Sequence, residues 1–126
     1  MKQILILLTA AIVIFSTQAH SRDTKHMLPI EAAMNSVDFK EKLDPSIRFY
    51  FGNQPHPEVV KSYGKFVSNK KTNAFGKSDE AACEWVLLSA MLSLQDRVKA
   101  EGGNAVININ SYYKKNMVSS ETEYEC

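Results

Sequence analysis

The sequence predicts an α+β fold: a mainly antiparallel sheet in the order β-β-α-β-β, one long helix packed on it, and a short helical segment ahead of it. Three observations carry this reading. A capped helical stretch runs from Ser78 to Gly102, the C-terminal residues alternate strictly between polar and coverable side chains, and further alternating apolar runs flank the helix. The chain has 126 residues, 44% hydrophobic and 23% charged, which suits one folded domain rather than a disordered tail. With 15 Lys and Arg against 14 Asp and Glu, no basic excess draws it onto nucleic acid or an anionic membrane.

The first element is a targeting segment. Lys2 supplies a positive start, Ile4 to Phe15 is a 12-residue apolar run broken only by Thr9, and Ser16-Thr17-Gln18-Ala19 ends on a small residue. This reads as a secretory signal peptide over residues 1–19, cut after Ala19. At about 1.5 Å per residue such a run is too short for roughly 30 Å of hydrocarbon, the competing reading being an anchor that stays attached. No cysteine lies near the cut, so the chain is not a lipoprotein, and no stable membrane span is expected after cleavage. The expected address is the periplasm. Cleavage leaves 107 residues with 14 basic and 14 acidic side chains, a net charge of zero.

Residues 20–45 form the expected N-terminal helical segment. Pro29 opens a helical pattern (Ile30, Ala33, Met34, Val37) that breaks near Asn35-Ser36, and Phe39 and Leu43 continue the apolar series to Asp44-Pro45. The α+β domain spans 46–126. Ile47, Phe49 and Phe51 alternate with Arg48 and Tyr50 as a first strand that Gly52-Asn53 ends. After the turn Gln54-Pro55-His56-Pro57, Val59 to Val67 reads as a second strand, bent at Gly64. Asn104 to Tyr113 is a third, with Ala105, Ile107 and Ile109 inward, and Lys114-Lys115-Asn116 turns the chain into the last one.

The long helix has Ser78 as N-cap, Asp79 and Glu80 in its first turn, and Gly102-Gly103 as its stop. At 100° per residue, Cys83, Val86, Leu87, Ala90, Met91, Leu94 and Val98 share one stripe, which should face the sheet. In the last strand Glu121, Glu123 and Glu125 alternate with Thr122, Tyr124 and Cys126, so Cys126 should point at whatever covers the sheet. Both cysteines therefore face the same layer. An even number of thiols in a small exported chain is most simply one intramolecular disulfide, Cys83 to Cys126, against an intermolecular bridge or a free C-terminal thiol. The closed loop would hold 44 residues and contribute about 4 kcal/mol.

Trp85, Leu88 and Leu92 lie opposite that stripe, where a two-layer domain would show water only polar groups. The favoured cover is the N-terminal segment folding back. The alternative is an interaction surface at Trp85, Leu88 and Leu92 for a partner or a second copy, a monomer being favoured.

Motifs for chemistry mostly fail. Phe75-Gly76-Lys77-Ser78 resembles the end of a phosphate-binding loop, but the Gly required five residues before Gly76 is Lys71, and no apolar strand ending in Asp remains to hold magnesium. Ser78 is explained as an N-cap. An anion or small ligand near Lys77, Ser78 and His56 is the surviving ligand reading. His56 fits a turn residue better than a metal ligand: the chain has no CxxC and no i, i+4 His pair, and His20 and His26 fall at the start of the mature chain. No metal and no cofactor are expected, and no Ser or Cys has a base and an orienting group arranged by pattern, so no catalytic residues are expected and the chain is not expected to be an enzyme. Tyr50, Tyr112, Tyr113, Lys114 and Lys115 could form a platform for single-stranded nucleic acid, but zero mature charge and export argue for a solvated face instead.

Arg48-Phe49-Tyr50-Phe51-Gly52, Ala81-Ala82-Cys83, Gly102-Gly103-Asn104-Ala105-Val106, Tyr112-Tyr113-Lys114-Lys115-Asn116 and Tyr124-Glu125-Cys126 resemble a group of small exported proteobacterial proteins, often mislabelled "excinuclease ATPase subunit". The resemblance covers essentially the whole mature chain. The label has no support in these residues, since such an ATPase needs complete phosphate loops, zinc-binding cysteines and a cytoplasmic address. More distantly, the helix ending in a Gly-Asn-Ala-Val step, with a helix-to-strand cysteine bridge, is similar to the outer-membrane Rcs stress-sensor lipoprotein and to YbjQ-like domains. The resemblance implies a compact α+β module, non-catalytic and tied to envelope homeostasis. Members of the group continue past the final Tyr-Glu-Cys with a tail rich in His, Gly and Ala, so further residues are expected there.

Overall fold

The computed structural model describes residues 26–70 and 76–126. The signal-peptide reading of residues 1–19, His20, and the Lys71 and Phe75 positions of the phosphate-loop comparison lie outside the described residues. In chain order the elements are β1 (Met27–Pro29), α1 (Ile30–Met34), α2 (Val37–Lys42), β2 (Arg48–Phe51), α3 (Asp79–Glu101), β3 (Ala105–Ile109) and β4 (Glu123–Glu125). The fold is a small α+β mix built on one long helix, but the strands form two separate pairs: β1 with β4, antiparallel, and β2 with β3, parallel.

Helix α3 ends where its capping residues require. The Ser78 hydroxyl accepts the Ala81 N–H at 3.1 Å, satisfying one of the free amides of the first turn. At the other end Gly102 is left-handed (φ 80°), the Gly103 N–H reaches Val98 O at 2.9 Å, and the Gly102 N–H reaches Lys99 O at 3.1 Å. These two bonds make a Schellman stop, which uses glycine because a Cβ disfavours that backbone conformation.

The parallel pair follows from the chain path. Val59 to Val67, expected as the second strand, forms no strand and is largely exposed, with Val60 97% accessible. Its alternation puts Lys61 and Lys65 between Val59, Tyr63 and Val67, and puts Ser62 and Gly64 between Val60 and Phe66, so neither face could be buried as a sheet face. Instead Tyr63 and Phe66 reach the C-terminal half of α3. The Arg97 guanidinium lies 4.2 Å from the Phe66 ring centroid, and a Cβ on Gly103 would stand 3.4 Å from Tyr63 Cε2. With that strand gone, β2 and β3 are consecutive strands joined through a crossover helix, and such a connection makes neighbours parallel. The register slips between Phe49 paired with Val106 and Phe51 paired with Ile109, an extra residue in β3 accommodated by Asn108 at φ 54°.

β4 pairs with β1 and does not join β2 and β3 in the single, mainly antiparallel sheet expected from the sequence. After β3, Ser111 and Val118 exchange backbone bonds of 2.9 Å around the turn at Tyr113–Lys115, which sits where Lys114-Lys115-Asn116 predicted one. The chain then crosses to β1, a strand absent from the sequence reading. His26 and Cys126 exchange backbone hydrogen bonds at 3.0 and 2.9 Å, so His26 belongs to the folded body. Gly52 permits the crossing: a Cβ there would meet Ser120 O at 2.8 Å, at φ +56°.

The N-terminal helices and α3 share one core. Ile30, Ala33 and Phe39 are buried with Phe51, Cys83, Leu88, Met91 and Tyr124. The buried stripe of α3 is Ala82, Cys83, Leu88, Met91 and Gln95, rotated from the expected one, and Val86, Ala90 and Leu94 are only half-buried. Gln95 is admitted to the core because its Oε1 accepts the Asp44 N–H at 2.8 Å, fixing the turn between α2 and β2.

Asp44 ties the same turn through its side chain. Lys99 Nζ lies 2.9 Å from Oδ2, and Oδ1 accepts from Ser46 N and Oγ at 2.8 and 2.7 Å. The Lys99 ammonium, and after it the two Ser46 donors, hold the Asp44 carboxyl well below the ordinary aspartate value of 3.8. A carboxyl whose pKa is depressed on folding stabilises fully above its unfolded value, and that contribution is lost as pH falls below it. The melting temperature should therefore drop on acidification below pH 3.8 more steeply in the native protein than in Asp44→Asn, as thermal melts across that range measure.

Candidate functional site

The structure joins Cys83 to Cys126 by a disulfide, with an S–S distance of 2.04 Å and Cα atoms 5.6 Å apart. The bond ties β4 to the early turns of α3, the layer both cysteines were expected to face. It is compatible with an oxidising compartment such as the periplasm.

Trp85, Leu88 and Leu92 do not form one open surface, a correction to the sequence reading. Leu88 is 1% exposed, and Leu92 is half-buried against the core. Their cover is the N-terminal segment, whose Phe39 packs into the same cluster. The reason is geometric: the break at Asn35-Ser36 lets α2 turn back, with the Ser36 hydroxyl donating to Ala33 O at 2.7 Å. Trp85 is the exception, 38% exposed at the edge of that cover.

Beside Trp85 the cover leaves a cleft of about 160 Å³ between α2 and α3. Ser36, Asp38 and Glu84 line it together with Phe39 and Leu88, the last two all but fully buried. Neither Asp38 nor Glu84 makes an ion pair among the described residues. Burial first, then Glu84 and Glu80, push the Tyr124 hydroxyl well above the ordinary tyrosine range. A cation already meets the Trp85 ring, since Lys42 Nζ lies 5.9 Å from its centroid.

The other expected ligand residues are placed differently. His56 packs against Tyr50 with ring centroids 5.7 Å apart, and its Nδ1 lies 2.7 Å from Pro57 O. The Ser78 hydroxyl is engaged as the cap of α3, and none of His56, Lys77 and Ser78 lines the Trp85 cleft. Among the described residues no group of three or more His, Cys, Asp and Glu is arranged to hold a metal ion, and no helix is long and apolar enough to cross a membrane.

Two features escaped the sequence reading. His26 Nε2 lies 3.2 Å from Asp79 Oδ2, linking β1 to the first turn of α3 close to Cys83. A three-residue strand holds too few alternations to announce that pairing. The second is a wider, open hollow of about 510 Å³ between Lys65, Phe66, Leu94 and Arg97, where Arg97 is engaged by Phe66 and by Glu101 at 3.3 Å. It exists because the 59–67 segment lies against α3 instead of joining a sheet. The chain matches no family model, no curated protein and no solved structure.

Proposed function

We propose that this protein is an exported, non-catalytic binding module of the periplasm, released by cleavage after Ala19, acting as a monomer in envelope homeostasis through the surface around Trp85. One observation carries the reading: the only tryptophan of the chain stays 38% exposed beside a cleft whose two carboxylates make no ion pair among the described residues. A large aromatic side chain left at the edge of a core is the kind of residue that anchors a contact. Both thiols are taken by the disulfide, which leaves no sulfur nucleophile. The resemblance to small exported envelope proteins supports the address and the process. The ligand reading at His56, Lys77 and Ser78 has less behind it, since the Ser78 hydroxyl caps α3.

The test is crosslinking in intact cells. Trp85→Ala should remain a soluble folded monomer and lose the partner bands that the native protein shows. Unchanged bands would remove the interface from this face.

A further inference from the structure

The hairpin tip that follows β3 forms a second contact surface, independent of the Trp85 face. We infer that this tip, Tyr112–Met117, docks on the surface of an anionic phospholipid bilayer. Its backbone is strained. Beyond the Ser111–Val118 backbone pair, Lys114 (φ 51°, ψ 36°) and Lys115 (φ 63°) are both left-handed, and the Asn116 N–H donates to Tyr113 O at 3.0 Å. Two consecutive left-handed residues make a turn of the I′ kind, whose preferred occupants are Asn and Gly because a Cβ crowds that backbone. Lysine at both positions gives up stability without a return inside the fold. Neither ammonium meets a carboxylate among the described residues, and Lys114 rests over the exposed Tyr113 ring, 5.3 Å from its centroid. Strain that the fold does not use marks side chains kept for what they meet outside it.

The side chains indicate the partner. Every residue from Tyr112 to Met117 is exposed, Met117 66% so, and together they bring two tyrosine rings, a thioether and two ammonium groups to one tip. No Asp or Glu occurs between Glu101 and Glu121, so Lys114 and Lys115 are the only charged side chains of that stretch. Tyrosine beside lysine is the composition of a membrane interface: the rings take the depth of the headgroups, the methionine reaches the acyl boundary and the ammonium groups meet phosphates. An acidic protein would answer the lysines but would need a pocket for each ring, whereas a bilayer yields to them. After cleavage the chain is neutral overall, so the attraction is local to the tip and the attachment weak and reversible.

The test is sedimentation of the exported chain with two kinds of vesicle, one of phosphatidylglycerol and phosphatidylcholine in equal parts and one of phosphatidylcholine alone. The chain should bind the anionic vesicles, less as salt is added, and bind the neutral ones about 25-fold more weakly, roughly fivefold for each lysine. Lys114→Asn combined with Lys115→Gly supplies the residues the turn prefers. Its melting temperature should equal or exceed the native one, so that lost binding is not lost fold, while anionic binding falls by the same factor of about 25. Lys114→Arg with Lys115→Arg should keep the binding. Tyr112→Ser with Met117→Ser should weaken it by about tenfold and leave its salt dependence in place. Equal binding to both vesicles overturns the inference, as does anionic binding that survives the Lys114→Asn, Lys115→Gly change, which would put the membrane contact elsewhere in the chain. So does polyglutamate or single-stranded oligodeoxythymidine bound as tightly as the anionic vesicles, which would mean an acidic polymer instead of a bilayer.

Discussion

Replacing Cys83 and Cys126 together by alanine lowers the free energy of unfolding by about 4 kcal/mol, because the denatured chain regains the entropy of a loop with a sequence separation of 43. Small domains rest on about 5–15 kcal/mol in all, so this is a large share. The local consequence is more specific. The bond fastens β4 to α3, and β4 in turn holds β1 through the backbone exchange between His26 and Cys126. Without it, burial of Tyr124, the short β1–β4 ladder and the His26–Asp79 contact must hold that edge. Amides of β1 and β4 should therefore exchange faster than those of α3, which keeps both caps and its core contacts. Thermal melts should show a fall of about 4–8 °C for each kcal/mol, and reductant should reproduce the effect on the native chain. A melting temperature unmoved after thiol titration proves the bond open would contradict the account. Intact mass under nonreducing conditions should be two hydrogens below that of the reduced chain.

The residues that announce themselves are those with local reasons for their conformation. Ser78 and Gly102-Gly103 bound α3 correctly because caps act through adjacent backbone groups. The turn at Lys114–Asn116 and the break at Asn35-Ser36 are local in the same sense. What the pattern misjudged depends on partners distant in the chain. Helix α3 has apolar residues on most of its circumference, so periodicity did not choose a face. The face that faces the core includes Gln95, admitted only because Asp44 supplies a backbone donor. The 59–67 segment alternates, yet its lysines sit on the face its valines would bury, and no sheet edge takes it. As a strand it would place two strands side by side ahead of the helix, the arrangement of an antiparallel order. Omitting it leaves strand, helix, strand, whose crossover connection implies the parallel β2–β3 pair. The candidate site was legible in part: Trp85 stood out by its position, but Asp38 and the cleft exist only once α2 has folded back.

That dependence makes Phe39 the residue through which fold and site stand or fall together. Its ring is 2% exposed and shares a cluster with Leu88 and Met91, both 1% exposed, so it pins α2 to α3. Phe39→Ala should cost about 3–5 kcal/mol, the lost transfer energy of the ring plus the cavity it leaves. Helix α2 has only six residues, too few to persist without tertiary packing, so the void is expected to close by α2 detaching. The cover would then loosen before α3 unfolds. Trp85, at the edge of that cover, would move further into water, and its emission should shift to the red in the folded variant, ahead of the main unfolding transition. Val37→Ala is the internal comparison: it lies on the same helix but is 69% exposed, and should change stability by less than about 0.5 kcal/mol. Denaturant titrations followed by Trp85 emission and by circular dichroism separate the two events. Similar small losses for both variants would mean that α2 is not held by Phe39, and the cleft beside Trp85 would then have no fixed wall.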